Sequence, residues 1–158
     1  MSILKNKVVV TLFALILVVS TKTQVSLAAV ATPPLTKCFI RVDNPHLSKS
    51  IKILRGFEAV KVNAVSICNK PMRNLKFTVE IHKKGLIRNH KVATETIKIP
   101  GWIATNKKIE NKATWAKCKN RKVSRYFGVA YAEAIIDEKK MRTLPVTTEK
   151  TISLPCGT

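Results

Sequence analysis

The chain has 158 residues, of which 29 are Lys or Arg and nine are Asp or Glu, for a net charge of +20. That length suits one domain with a single core, and the sequence holds no internal repeat, no low-complexity tract and no second domain. No G-x-S-x-G, H-E-x-x-H or P-loop pattern occurs, so nothing points to the enzyme classes those motifs mark.

Residues 1–28 predict a secretory signal peptide. Lys5 and Lys7 supply a positive start, and residues 8–19 form an unbroken apolar run. That run matches the apolar region of a signal peptide and falls short of the roughly twenty residues a transmembrane helix needs. Lys22 blocks its extension, and Ser26 and Ala28 place small residues before a cleavage point after Ala28; Ala29 and Ala31 offer a second point after Ala31. Export to the extracellular space or the cell envelope follows. No later segment is apolar enough for a transmembrane span, and no Asn-x-Ser/Thr site occurs.

After the leader, 26 basic residues face nine acidic ones, a net +17. Self-repulsion at that charge opposes compaction, and the cysteines are the candidate offset. Cys38, Cys68, Cys118 and Cys156 make an even count in an exported chain, which predicts two disulfides. Zinc needs close ligand pairs such as C-x2-C, whereas the nearest two cysteines here are 30 residues apart. No metal or cofactor is expected.

Residues 29–37 read as a mobile lead-in, because Pro33-Pro34 fits neither a helix interior nor a central strand. Residues 38–158 then form the single β domain. Cys38 to Val42 is a short strand ended by Asp43-Asn44-Pro45. Residues 57–68 alternate, with Val60, Val62 and Ala64 on one side. The clearest strand is 75–82: Leu75, Phe77, Val79 and Ile81 face one way, Lys76, Thr78, Glu80 and His82 the other. Lys83-Lys84-Gly85 turns the chain. Residues 92–99 form a β-branched strand stopped by Pro100-Gly101. Residues 124–136 are apolar on both faces, as in a strand covered on both sides, and Phe127-Gly128-Val129 reads as close packing or a bulge. Residues 143–155 supply the last strand. Helix competes at 107–117 and 130–141, both rich in helix formers, and at most one short helix is expected there.

About seven such strands fit a small antiparallel sandwich of immunoglobulin-like architecture. Trp102 and Trp115 are wrongly placed for the Cys…Trp…Cys order of true immunoglobulin domains, so the similarity is architectural only. A hairpin folded about residue 53 brings Cys38 to Cys68, and one turning near residues 137–140 brings Cys118 to Cys156. That pairing is favoured over Cys68–Cys118 with Cys38–Cys156.

Two basic clusters stand out. One contains His82, Lys83, Lys84, Arg88, His90 and Lys91; the other contains Lys117, Lys119, Arg121, Lys122 and Arg125. After the leader there are 19 Lys and only seven Arg. Lys is a hydrated point charge, so this surface suggests diffuse attraction to polyanions more than selective readout. The expected partner is an anionic polymer or an anionic membrane surface, with non-specific nucleic acid as a lesser case. Arg125-Tyr126-Phe127 is the one patch resembling a stacking platform. The leading expectation is a non-enzymatic binding protein. An antimicrobial or toxin-like role is the alternative, and a small hydrolase such as a ribonuclease, using His82 and His90 with Lys76 or Lys91, is the third.

Overall fold

The computed structural model describes residues 37–158. The expected signal peptide and all but the last residue of the expected lead-in lie outside the described residues. In chain order the elements are β1 (Cys38–Val42), β2 (His46–Leu47), α1 (Lys49–Arg55), β3 (Ala59–Lys61), β4 (Ala64–Cys68), β5 (Met72–Lys83) and β6 (His90–Ile103). They continue with β7 (Ile109–Asn111), β8 (Trp115–Lys117), β9 (Asn120–Ile136), β10 (Lys139–Arg142), β11 (Val146–Thr147) and β12 (Ile152–Gly157).

The fold is an all-β sandwich. One layer is a large antiparallel sheet in the order β10-β9-β5-β6, with β11 and β12 also pairing along β9. The other layer is broken into two three-stranded sheets, β1-β4-β7 and β2-β3-β8. Twelve strands among the described residues thus replace the seven expected from the sequence. The excess comes from breaks within runs and from β2 and β10, which no expected strand covered. Residues 57–68 split into β3 and β4, which serve different sheets, and 143–155 splits into β11 and β12.

Inner faces follow the alternation. Leu75, Phe77, Val79 and Ile81 of β5 pack against Val60, Val62 and Ala64 of the opposite layer. On β9 every second residue from Tyr126 to Ile136 is buried, while its outer face is half-covered rather than enclosed, a correction to the expectation of full cover on both sides. Gly128 lies where the layers approach closely: a Cβ there would fall 2.7 Å from Val62 and 3.0 Å from Val42. Asn111, fully buried at the end of β7, crosses between layers. Its Nδ2 donates to the carbonyls of Phe77 (3.0 Å) and Glu95 (3.1 Å), and its Oδ1 accepts from the Ala113 amide (3.1 Å). Each buried group left unpaired by its removal would cost roughly 1–3 kcal/mol.

Two further expectations are corrected. The helix among the described residues is α1, in neither of the segments the helix formers favoured. Ser48 caps it by accepting from the Ile51 amide (3.3 Å), and Gly56, at φ 71°, closes it with its amide on the Lys52 carbonyl (3.0 Å). Residues 107–117 instead provide β7 and β8, and 130–136 extends β9, because pairing with β4, β3 and β5 overrides helix propensity. Nor does Pro100-Gly101 stop β6, which runs on to Ile103. β6 is an edge strand, where a missing amide is harmless. A register shift between Arg73 and Leu75 absorbs the pair, and the Asn74 side chain accepts from the Gly101 amide (3.1 Å).

The disulfides are Cys38–Cys68 and Cys118–Cys156. Cys38–Cys68 joins directly paired residues of β1 and β4 within one layer. Cys118, just past β8, joins Cys156 of β12 and so ties the two layers together. The alternative pairing, Cys68–Cys118 with Cys38–Cys156, is not the one present.

Candidate anion-binding surface

The two basic clusters, separated by about 30 positions of sequence, meet at one end of the sandwich. Antiparallel pairing brings the finish of β5 beside the start of β9: Lys83 lies opposite Tyr126, and the Lys84 amide donates to the Arg125 carbonyl (2.7 Å). β12 lies along the same stretch of β9, with Gly157 opposite Asn120 and the Lys119 amide on the Gly157 carbonyl (2.7 Å). Cys118–Cys156 therefore sits at this end.

Lys84, Arg88, Lys117, Lys119, Arg121, Lys122 and Arg125 have no carboxylate partner among the described residues. Lys83 donates to the main-chain oxygen of Thr158 (3.3 Å). Two acidic residues line hollows at this end, Glu58, which holds Lys52 (3.1 Å), and Glu149 beside Lys84, and others pair elsewhere. Glu133 faces Lys140 and Arg142, Asp137 holds Lys70, and Glu138 holds Arg73 (2.5 Å). Glu110 lies between Lys108 (2.6 Å) and Lys112, and these two hydrogen bonds pull its carboxyl down to about 2. Most ion pairs thus form away from this end, and positive charge predominates there.

Lys91, grouped with these residues by sequence, belongs to a different arrangement. On the outer face of the large sheet, Glu80 accepts from His82 Nε2 (2.7 Å), Lys91 Nζ (3.0 Å) and the Tyr131 hydroxyl (3.5 Å). Burial pushes the Glu80 carboxyl up, but the hydrogen bonds from His82 and Lys91 outweigh it and hold it below its ordinary value. The hydrogen bond to Glu80 in turn raises Lys91. His90, paired opposite Lys83, stands outside this cluster, and Lys76 lies further along β5 opposite Glu133.

No protein-family model matches the chain, and no curated protein is similar to it in sequence.

The stacking platform suggested by Arg125-Tyr126-Phe127 does not form. Tyr126 is wholly buried, its hydroxyl donating to the Cys156 carbonyl, and Phe127 stacks on His82 with ring centroids 5.1 Å apart. An aromatic arrangement that sequence reasoning missed lies beside the basic end. Arg55 covers Trp115 (4.9 Å), Trp115 meets Phe57 (5.7 Å), and Lys117 covers Phe57 (4.7 Å). Lys52 and Gly56 share a shallow hollow of about 300 Å³ with Glu58, Lys119 and Arg121, which brings the end of α1, with Lys52 paired to Glu58, beside the basic surface. The signal was present in Ser48 and Gly56, the two caps, but seven helical residues are too few to show a period.

Among the described residues no helix is long and apolar enough to cross a membrane, and no three metal-binding side chains come together.

Proposed function

We propose that this protein is exported and acts as a non-enzymatic cationic adhesin for anionic polymers and surfaces of the cell envelope or extracellular space. One observation carries the reading: seven cations from two distant sequence segments gather at one end and none of them makes an ion pair, although Glu58 and Glu149 line hollows there. A solubilising charge would be scattered and partly paired, as the rest of this surface is. Concentrated positive charge attracts polyanions over several ångströms and loses its reach as salt shortens the screening length. Two disulfides suit an oxidising compartment and support the export reading.

The test is retention on an immobilised polyanion across a salt series. Wild type should elute late, and charge reversal at Lys119, Lys122 and Arg125 should shift elution to much lower salt. Reversal at Lys139 and Lys140, on the opposite end, should shift it far less. Equal effects from both sets would mean that net charge alone acts and would refute a dedicated surface.

A second reading rests on Glu80, His82 and Lys91, which place an acid–base pair and a cation within hydrogen-bond reach on an open sheet face. It predicts weak phosphodiester cleavage of RNA. Cleavage that survives both Glu80→Gln and His82→Ala would remove it.

A further inference from the structure

The loop between β5 and β6, residues 84–89, carries two aliphatic side chains where cations would be expected. Leu86 and Ile87 are 104% and 96% exposed, touching essentially nothing else in the fold. Lys83 and Lys84 precede them and Arg88 follows. The loop is anchored at its base by the Lys84 amide on the Arg125 carbonyl. Its turn is tight: a Cβ on Gly85 would lie 2.2 Å from the Arg88 carbonyl oxygen, so glycine is required there. Val123, 65% exposed, repeats the pattern on β9 between Lys122 and Arg125. On α1, Ile53 and Leu54 are exposed between Lys52 and Arg55.

Exposing adjacent aliphatic residues at a loop tip costs solubility and contributes nothing to this core. A soluble polyanion, such as a nucleic acid or an acidic polysaccharide, offers them no apolar medium. An anionic bilayer offers both components: headgroups for the cations and, a few ångströms deeper, acyl chains for the aliphatic tips. We propose that the basic end docks on anionic lipid membranes and that Leu86 and Ile87 insert into the interface. This rests on the charge reading above and adds to it a specific surface and a hydrophobic anchor.

The experiment compares wild type with the double variant Leu86→Ser, Ile87→Ser on two probes. One is vesicles of phosphatidylcholine with a quarter phosphatidylglycerol; the other is a soluble polyanion, heparin. Wild type should bind both at low salt and keep a residual vesicle-bound fraction at high salt, where heparin is fully released. The double variant should bind heparin as wild type does, and its thermal unfolding should stay cooperative, which reports that it folds. Its affinity for vesicles should fall by roughly 30-fold, the loss expected from two partly buried aliphatic side chains, with no salt-resistant fraction. In a separate variant, Ile87→Trp, emission should shift to the blue on anionic vesicles and be quenched by brominated lipid chains. Vesicle binding equal in wild type and double variant, or an unquenched Trp, would overturn insertion while leaving polyanion attraction intact. Failure of wild type to bind heparin or vesicles even at low salt would overturn both.

Discussion

Glu80 sits on the outer face of the large sheet with its side chain only 11% exposed, a position where a carboxylate stays charged only if it is paired. Polar groups face it from three strands: His82 on its own β5, Lys91 on β6 and Tyr131 on β9. Its carboxyl is held below its ordinary value of 4.5. A depressed acid contributes stability that is fully present above the ordinary value and disappears as pH falls through the lowered one. Glu80→Gln should therefore cost about 1.5–3 kcal/mol at neutral pH, the usual worth of a hydrogen bond to a charged group. The gap to wild type should close as pH drops below 4.5, because protonated Glu80 then resembles Gln. Urea denaturation of both proteins between pH 7 and pH 3 measures this; a constant gap would show that the charge contributes nothing. The sequence showed Glu80 and His82 on one strand face. It offered Lys91 and Lys76 equally as the cation beside His82 and could not choose Lys91, which arrives from β6 through a register shift between Ile81 and His82.

The β9–β10 hairpin turns on Asp137 and Glu138, with φ of 49° and 60°. Ile136 pairs with Lys139, so the loop has two residues, and positive φ at both is what a type I′ turn requires. Side chains other than Gly or Asn adopt that region at a cost of roughly 1–2 kcal/mol. The Glu138–Arg73 ion pair offsets part of it, but Glu138 is 78% exposed and such pairs contribute about 0–1 kcal/mol. The backbone term is the larger, so Glu138→Gly should stabilise the protein by about 1 kcal/mol, raising the denaturation midpoint without changing its slope. A loss of stability would mean that the ion pair fixes the hairpin. This turn was legible as a hinge from the cysteine spacing, as was the β1–β4 pairing about residue 53, since hairpin symmetry depends only on position. Strand β5 was legible because one face is apolar throughout. α1 and the separation of β3 from β4 were not, because a seven-residue helix and a two-residue kink leave no period to read.

Charge and cross-links meet at the scale of the molecule. The clusters were visible in the sequence, but their convergence was not: it follows from β5 and β9 being antiparallel neighbours, which the residues alone do not specify. Two like charges 10 Å apart in water repel by about 0.4 kcal/mol, and several such pairs share the basic end. Repulsion there pulls the start of β9 away from β8 and β12, the elements that Cys118–Cys156 holds. Cys38–Cys68 serves the opposite end, where Lys70 and Arg73 are already neutralised by Asp137 and Glu138. Loops of 30 and 38 residues make each bridge worth roughly 3–4 kcal/mol of restricted unfolded chain, whatever the ionic strength. Salt should separate them. Replacing Cys118 and Cys156 by Ser should cost about 1 kcal/mol more in 20 mM than in 500 mM salt, because the screening length falls from roughly 20 Å to about 4 Å and the repulsion it restrained fades. Replacing Cys38 and Cys68 by Ser should cost the same at both. Thermal unfolding of the two double variants at each salt concentration decides the matter. An identical salt response would mean that the repulsion is spread evenly over the molecule, and that the bridge at the basic end has no special part in containing it.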